Sequence, residues 1–132
     1  MQYMLLIHSD EQTEPQDGDR EAMYERYFAF SKEVREAGKY VDGAELQPTT
    51  AATTVRVRNG EALVTDGPFA ETKEELGGFY LFDCKDLDEA IELAARIPGA
   101  QQGTIEVRPI LELGDDYLEA SGRAAAETAA AG

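Results

Sequence analysis

The order of hydrophobic periods along the chain constrains its fold more than any other feature of the sequence. An apolar run at residues 3–7 is too short for a helix and predicts a first strand. A helical period follows, which we expect Asp19 to cap and Gly38 to end, with an apolar face formed by Met23, Tyr27, Phe30 and Val34. Residues 40–46 then predict a second strand.

A β-hairpin is predicted after the second strand. Residues 53–58 alternate valine with threonine and arginine, and residues 61–65 return as the partner strand. The dipeptide Asn59-Gly60 between them is the one that best fits a type I′ turn. The hairpin is therefore an insert that leads the chain to Asp66.

A turn and a charged segment follow the hairpin. The strand is predicted to end at Thr65, where Asp66, Gly67 and Pro68 stop it, because Gly tolerates unusual φ values and Pro removes a backbone donor. We expect the aromatic ring of Phe69 to be shielded from water beside this turn. The charged side chains after it are expected to be solvated, namely Glu71, Lys73, Glu74 and Glu75.

The second half of the chain repeats the pattern of strand, helix and strand. Residues 79–84 predict a strand of large apolar side chains, and Asp86 with Glu89 resembles a capping box. The helix that follows is expected to bury a stripe formed by Leu87, Ala90, Ile91 and Ala94. Residues 104–110 alternate and predict the last strand.

This order predicts an α+β fold, the ferredoxin-like split βαβ arrangement with an inserted β-hairpin and both helices on one sheet face. We expect apolar groups on the bare face as well, from Phe79, Leu81, Ile105 and Val107. A second subunit is the economical cover, which predicts a homodimer. The domain is predicted to span residues 1–112, and residues 113–132 form a C-terminal tail, either a helix on the partner or disordered.

The charge balance limits the partners. There are 27 acidic and 12 basic residues, and the net charge of −15 opposes direct binding to nucleic acid or an anionic membrane surface and suits a basic protein partner. No apolar run approaches the roughly 20 residues of a membrane helix. The single Cys84 cannot form an internal disulfide, and the chain starts without a secretory signal, so we expect a cytoplasmic protein.

No cofactor or metal is predicted. The one histidine and the one cysteine lie far apart in the sequence and do not form the ligand spacing of a zinc site. The pair Gly77-Gly78 does not have the form of a phosphate-binding loop. Cys84 is more simply interpreted as a small buried apolar residue.

Several segments resemble the YCII-related proteins, in particular their DGPF subgroup. They are MQYMLLI at residues 1–7, LQPTTAATTVRV at 46–57, DGPFAETKE at 66–74, GGFY at 77–80 and IEVRPI at 105–110. The resemblance implies a ferredoxin-like fold that dimerises as an α+β barrel. In the wider family a helical histidine and a nearby carboxylate are a proposed dyad, but here the histidine position reads Tyr27 and the usual Asp-Pro reads Ile97-Pro98.

Three groups remain as acid-base candidates, because each is expected near one end of the sheet. His8 titrates near neutrality when unperturbed, although a histidine at a strand end is more often a polar cap. Asp66 is either a general acid or base or a turn residue that bonds the local backbone. Tyr27 is either a ligand contact or a core tyrosine with a satisfied hydroxyl.

A ligand contact is also predicted at Arg56 and at the turn formed by Gly67, Pro68 and Phe69. Arg56 and Arg58 point away from the hairpin valines and could receive a carboxylate or phosphate, or they could pair with local carboxylates. The turn residues belong to the signature string that carries the resemblance.

Two functions of different class follow. The first is a small-molecule-binding or regulatory module, linked to sigma-factor control because DGPF-type proteins are often encoded beside extracytoplasmic-function sigma factors. The second is a cytoplasmic enzyme that uses Asp66 and His8 for proton transfer.

Overall fold

The strands and helices follow the predicted order. The structure is a computed structural model that describes residues 1–13 and 17–121. Its elements are β1 (Gln2–Ser9), α1 (Asp17–Glu36), β2 (Tyr40–Glu45), β3 (Thr53–Arg58), β4 (Glu61–Asp66), β5 (Glu75–Asp83), α2 (Leu87–Arg96), β6 (Thr104–Pro109) and α3 (Asp115–Ser121).

Four strands form one antiparallel sheet in the order β2-β5-β1-β6, and β3 pairs only with β4. Each strand–helix–strand unit therefore leaves room for one strand of the other unit, which is the ferredoxin-like topology. The pairing of β1 with β5 shifts between Ile7 and His8, because Gly77 is an extra residue on β5. Such a bulge re-aims the side chains beside it.

The helices cover one face of the sheet, which we call the covered face. Tyr3 and Leu5 of β1 pack with Tyr80 and Phe82 of β5 against side chains of α1 and α2, among them Phe30, Val34, Ala90, Leu93 and Ala94. Phe82 and Leu5 are fully buried. Apolar burial on this face is therefore the main stabilising contribution.

The other sheet face, which we call the open face, carries four partly exposed apolar side chains in its centre. Strand alternation places Met4 and Leu6 of β1 there, opposite Leu81 and Phe79 of β5. The expectation that Ile105 and Val107 also lie on the open face is wrong. Both pack against the covered-face core, so the open-face residues of β6 are polar, namely Thr104, Glu106 and Arg108.

The helix ends match the sequence in two cases of three. Gly38 has a φ of 75° and its N–H donates to Arg35, while Lys39 N–H donates to Val34, which is a Schellman ending. The Asp86 side chain caps α2 by accepting from Glu89 N–H at 2.9 Å. Asp19 is not an N-cap, because α1 already begins at Asp17 and the helix extends beyond its apolar period.

The buried side of α2 differs from the predicted stripe. Ala90, Leu93 and Ala94 are buried, whereas Leu87 and Ile91 are 49% and 51% exposed. The helix is thus rotated so that its small residues meet the sheet. Leu93 replaces Ile91 in the core because the two differ by about 200° around the helix axis.

An ion pair joins the end of α1 to α2, within the single helical layer. Lys39 Nζ lies 2.8 Å from Glu89 Oε1 on α2, and Lys85 N–H donates to the same oxygen. The hydrogen bond with Glu89 raises the pKa of Lys39, and the hydrogen bond from Lys39 lowers the pKa of Glu89.

We expect Glu89→Gln to lower the Tm at pH 7 and to have no effect in acid. The folded-state pKa of Glu89 is depressed, so its contribution to stability is present above the unfolded pKa of about 4.3 and is lost as the pH falls through the folded value. Thermal unfolding from pH 7 to pH 2 measures this. Glu92→Gln removes the same charge from the same helix and should leave the Tm unchanged, and an equal loss in both variants would contradict the pairing.

The hairpin has the predicted turn and a different end. Asn59 and Gly60 have φ values of 53° and 79°, as a type I′ turn requires. Asp66 is still in β4, opposite Thr53, and the positive φ of 96° falls at Gly67. Phe69 is 79% exposed, so the expectation that its ring is shielded within the chain is wrong.

The tail divides at residue 121. Residues 115–121 form α3, and Leu118 N–H donates to Gly114. Residues 122–132, where disorder was the alternative prediction, lie outside the described residues. Among the described helices, none is long and apolar enough to cross a membrane.

Candidate functional site

Polar side chains meet at one end of the open face, which we call the His8 end. His8 lies opposite Thr104 of β6 and Leu76 of β5, and residues directly opposite each other share a sheet face. The bulge at Gly77 of β5 lies directly beside the row formed by Leu76, His8 and Thr104. Bulges are frequent beside functional sites because they re-aim a side chain. His8 is therefore a candidate functional residue.

His8 is paired with a carboxylate. Its Nε2 lies 3.6 Å from Glu106 Oε1, and the side chains are 29% and 52% exposed. The distance is long for a hydrogen bond, so the interaction is electrostatic and requires a protonated imidazole. The arrangement suits a histidine that gains a proton beside a carboxylate ready to stabilise the imidazolium.

Two glycines bring the segment before β6 against the end of β1. Gly103 N–H donates to Gly99 at 2.8 Å, and a Cβ on Gly103 would lie inside 3.0 Å of the His8 carbonyl oxygen. A Cβ on Gly99 would press on the Tyr27 hydroxyl. Only residues without side chains allow this approach, which fixes the backbone behind His8.

An open cleft of about 560 Å³ lies beside the His8 end. Three connections between elements supply its lining: the segment after β1, the segment before β5 and the segment between α2 and β6. The lining residues are Asp10, Thr13, Lys73, Glu74 and Gln102. Its volume is in the range of small-molecule sites, whereas its lining is more polar than is usual for them.

Each charged lining residue has a defined environment. Glu74 Oε1 accepts a hydrogen bond from the Thr104 hydroxyl at 2.7 Å, which ties the cleft to the strand residue opposite His8. Asp10 Oδ1 accepts from Gln12 N–H at 2.9 Å. Lys73 forms no ion pair within residues 1–13 and 17–121. Its ammonium is therefore available to an anionic or carbonyl oxygen of a ligand.

The structure separates the predicted site residues. Tyr27 is on the covered side of the fold, where its hydroxyl accepts from Gly99 N–H at 3.1 Å. Burial raises the pKa of the Tyr27 phenol, and this hydrogen bond lowers it in part. His8 is on the open face instead, so the sheet lies between the two side chains.

The hairpin carries the other predicted residues. Arg56 and Asp66 are exposed on β3 and β4, and Gly67 is bonded to the hairpin base through Ala52 and Thr54. Pro68 and the exposed Phe69 follow. Among the described residues, no hydrogen bond or ion pair joins Asp66 to His8.

The cleft itself was not predicted from the sequence. Lys73 and Glu74 were expected to be solvated, and Asp10, Gln102 and Glu106 were not singled out. The one available signal was that DGPFAETKE ends at Glu74, directly before the bulged strand. Residues 1–13 and 17–121 contain no group of three or more potential metal ligands.

Comparisons by sequence find relatives over most of the chain. The profile of the YCII-related domain matches residues 1–114. An uncharacterized protein of Rhizobium meliloti is 44% identical over 115 residues, which cover 83% of this chain and 92% of that protein.

Solved structures also resemble the chain, and one of them can be described. It is 5-chloro-2-hydroxyhydroquinone dehydrochlorinase (TftG) from Burkholderia phenoliruptrix AC1100, in complex with 2,5-dihydroxybenzoquinone. The TM-score is 0.50 at 14% identity, covering 88% of this chain and 98% of the other. At this identity the likeness bears on the fold alone.

Proposed function

We propose that this chain, which belongs to the YCII-related family, is a homodimeric small-molecule-binding protein. Its ligand occupies the charged cleft at the His8 end. The observation that carries the proposal is a cleft of about 560 Å³ built from three separate connections around a lysine without an ion-pair partner among the described residues. Convergent polar groups of this kind are typical of ligand sites.

The cleft favours a small, oxygen-rich ligand. The Lys73 ammonium provides a positive charge for an anionic or carbonyl oxygen, and a hydrogen bond to a charged group contributes about 1.5 to 3 kcal/mol. Asp10 and Glu74 accept hydrogen bonds from ligand hydroxyl or amino groups. A ligand that offers both kinds of group fits this lining best.

We expect 2,5-dihydroxybenzoquinone, the compound bound to the dehydrochlorinase, to bind as a probe, since its ring carries both hydroxyl and carbonyl oxygens. Lys73→Ala should weaken its Kd by roughly tenfold to a hundredfold, as expected for a lost hydrogen bond to a charged group. Isothermal titration calorimetry measures the affinity. Lys85→Ala, which removes the same charge outside the cleft, should leave the Kd unchanged, and equal affinity of all three proteins would contradict the site.

A second candidate function is an enzyme, favoured by the pairing of His8 with Glu106 beside the cleft. His8 would take a proton from a ligand hydroxyl or an acidic C–H group, and Glu106 would stabilise the imidazolium. Asp66, the other acid-base candidate, lies on the hairpin. It would take part only if the hairpin brought its carboxylate to the cleft. A bound compound that is converted by the wild type and retained unchanged by His8→Gln would favour the enzyme over the binding module.

The homodimer is supported by the pattern of the open face. Met4 and Leu81 lie in one row across the sheet, with Asp42 of β2 at one end of this row and Arg108 of β6 at the other. If two sheets pair face to face about an axis parallel to the strands, β2 of one copy lies over β6 of the other. Each Asp42 then faces the Arg108 of the other copy, at both edges of an apolar centre.

A basic protein is a further proposed partner, consistent with the regulatory form of the binding module. The net charge of −15 supports electrostatic attraction to such a protein. A cytoplasmic location is part of this proposal. Pull-down with a basic extracytoplasmic-function sigma factor, repeated at high salt, tests it, because screening should remove an attraction of this kind.

A further inference from the structure

The β3–β4 hairpin, which we call the arm (residues 53–66), packs against no other layer in the described part of the chain. Its two strands hydrogen-bond only to each other, and neither makes extensive contact with another described element. It is attached at its base, where Gly67 N–H donates to Ala52 at 2.7 Å and Glu11 accepts two hydrogen bonds from Thr49. An isolated two-stranded hairpin is marginally stable in water at best.

One face of the arm is apolar and exposed. The pairing of Val55 with Val64, and of Val57 with Ala62, places these side chains on the same face. Val55, Val57 and Val64 are 59%, 62% and 65% exposed. We call these four residues the valine face. The opposite face carries the charged side chains of Arg56 and Arg58, so it can remain in contact with water.

We infer that the arm packs its valine face on a second copy of the chain and closes the cleft at that copy's His8 end. The inference rests on the proposed homodimer and adds to it: the two arms are exchanged, so each ligand site is completed by the other subunit. Phe69, at the arm's base and 79% exposed, would be covered in the same assembly.

The size of the open face supports an exchange. The face offers about twelve residues in register, whereas a stable interface takes roughly 20 to 30 residues from each side. Each arm adds the four residues of its valine face to its own side and the residues that they cover to the other side. Sheet and arm together therefore come closer to the usual size than the sheet alone.

The topology brings the arm to the correct end. The arm is inserted between β2, which ends at Glu45, and β5, which begins at Glu75, so it leaves the sheet at the same end as His8. An axis parallel to the strands keeps the His8 ends of both copies together. It also sets the β2–β5 half of one copy over the β1–β6 half of the other, where Thr104 and Glu106 lie.

The charge of the arm favours a second copy over a basic protein. Arg56 and Arg58 balance Glu61 and Asp66, so residues 53–66 have no net charge and the whole charge of −15 lies elsewhere. A neutral arm approaches the acidic body of a second copy without repulsion. It offers no attraction to a basic protein.

The first test replaces valines by threonines, which have nearly the same shape and favour strands. Val55→Thr with Val57→Thr should weaken dimerisation on the order of 100-fold, since four buried valines per dimer lose apolar contact. Sedimentation velocity over a concentration series gives the Kd. Leu63→Thr, on the outward face of the same arm, should leave the Kd unchanged. Equal Kd values for the double variant and the wild type would overturn the inference.

The second test locates the arm without disturbing it. Unlabelled protein with a nitroxide at Glu61→Cys is mixed with ¹⁵N-labelled wild type, so only effects between subunits are observed. Cys84 does not compete for the label, because it is 1% exposed and burial raises the pKa of its thiol to about 11.

We expect broadening of the amide signals of β1 and β6 residues at the His8 end, including Thr104 and Glu106. Absence of broadening there in a mixture that sediments as a dimer would overturn the arm exchange and leave the homodimer intact. Sedimentation as a monomer at every concentration would overturn both. The 2,5-dihydroxybenzoquinone titration of the wild type remains a separate test of the ligand site.

Discussion

Gly103→Ala should lower the free energy of unfolding by about 3 kcal/mol, the largest loss that we expect from a change of one methyl group in this protein. The added Cβ would lie inside 3.0 Å of the His8 carbonyl oxygen, and a backbone atom in a paired strand cannot move aside as a flexible side chain would. Overpacking typically costs 1 to 3 kcal/mol. Urea unfolding measures the difference.

Gly77→Ala is the matched control for this substitution. Neither glycine has a positive φ, so the backbone conformation at both positions allows alanine. The two differ in the space around the added Cβ, because the nearest atoms to a Cβ on Gly77 are 3.8 Å away, in ordinary contact. We expect its stability to stay within about 1 kcal/mol of the wild type, because alanine also restricts the unfolded chain. A Gly103→Ala protein as stable as Gly77→Ala would show that the segment before β6 is free to move away from β1.

Local chemistry made much of the fold predictable. Gly38, Asp86 and Asn59-Gly60 each satisfy a backbone requirement that depends only on neighbouring residues. As predicted, the first ends a helix, the second begins one and the third forms the hairpin turn. Together with the hydrophobic periods they give the order of elements. The ferredoxin-like fold follows because few topologies accommodate that order.

The facing of individual side chains was less predictable, since it depends on register across strands. Ile105 and Val107 alternate in the same way as Phe79 and Leu81, yet the first pair meets the helices and the second pair lies on the open face. Nothing local distinguishes the two strands. The extra residue at Gly77 also shifts the pairing at His8, and a one-residue shift reverses the faces.

The candidate cleft was not predictable from composition, because its lining residues are ordinary surface types. Lys73 and Glu74 have no apolar neighbours in sequence that would mark them, and Asp10 and Gln102 join them only through the tertiary fold. The string at residues 66–74 gains a physical interpretation in retrospect. It begins at the base of the arm and ends in the cleft, so it links the two features on which our proposals depend.

Exchanging the charges of Asp42 and Arg108 should first disrupt and then restore the proposed dimer. Asp42→Arg alone would set two pairs of like charges against each other across the symmetric interface, and Arg108→Asp alone would do the same with carboxylates. Like charges in an interface cost several kcal/mol. We therefore expect each single variant to raise the dimer Kd at least about 100-fold in sedimentation experiments.

The double variant Asp42→Arg with Arg108→Asp restores opposite charges at both edges and should bring the Kd back to within about tenfold of the wild type. It also separates the interface from local effects. Asp42 accepts a hydrogen bond from Gly43 N–H at 2.8 Å, and the double variant lacks this bond just as the single variant does. A double variant as weakly associated as Asp42→Arg would mean that the two residues do not face each other. The axis would then not be parallel to the strands, and the arm of one copy would not reach the His8 end of the other.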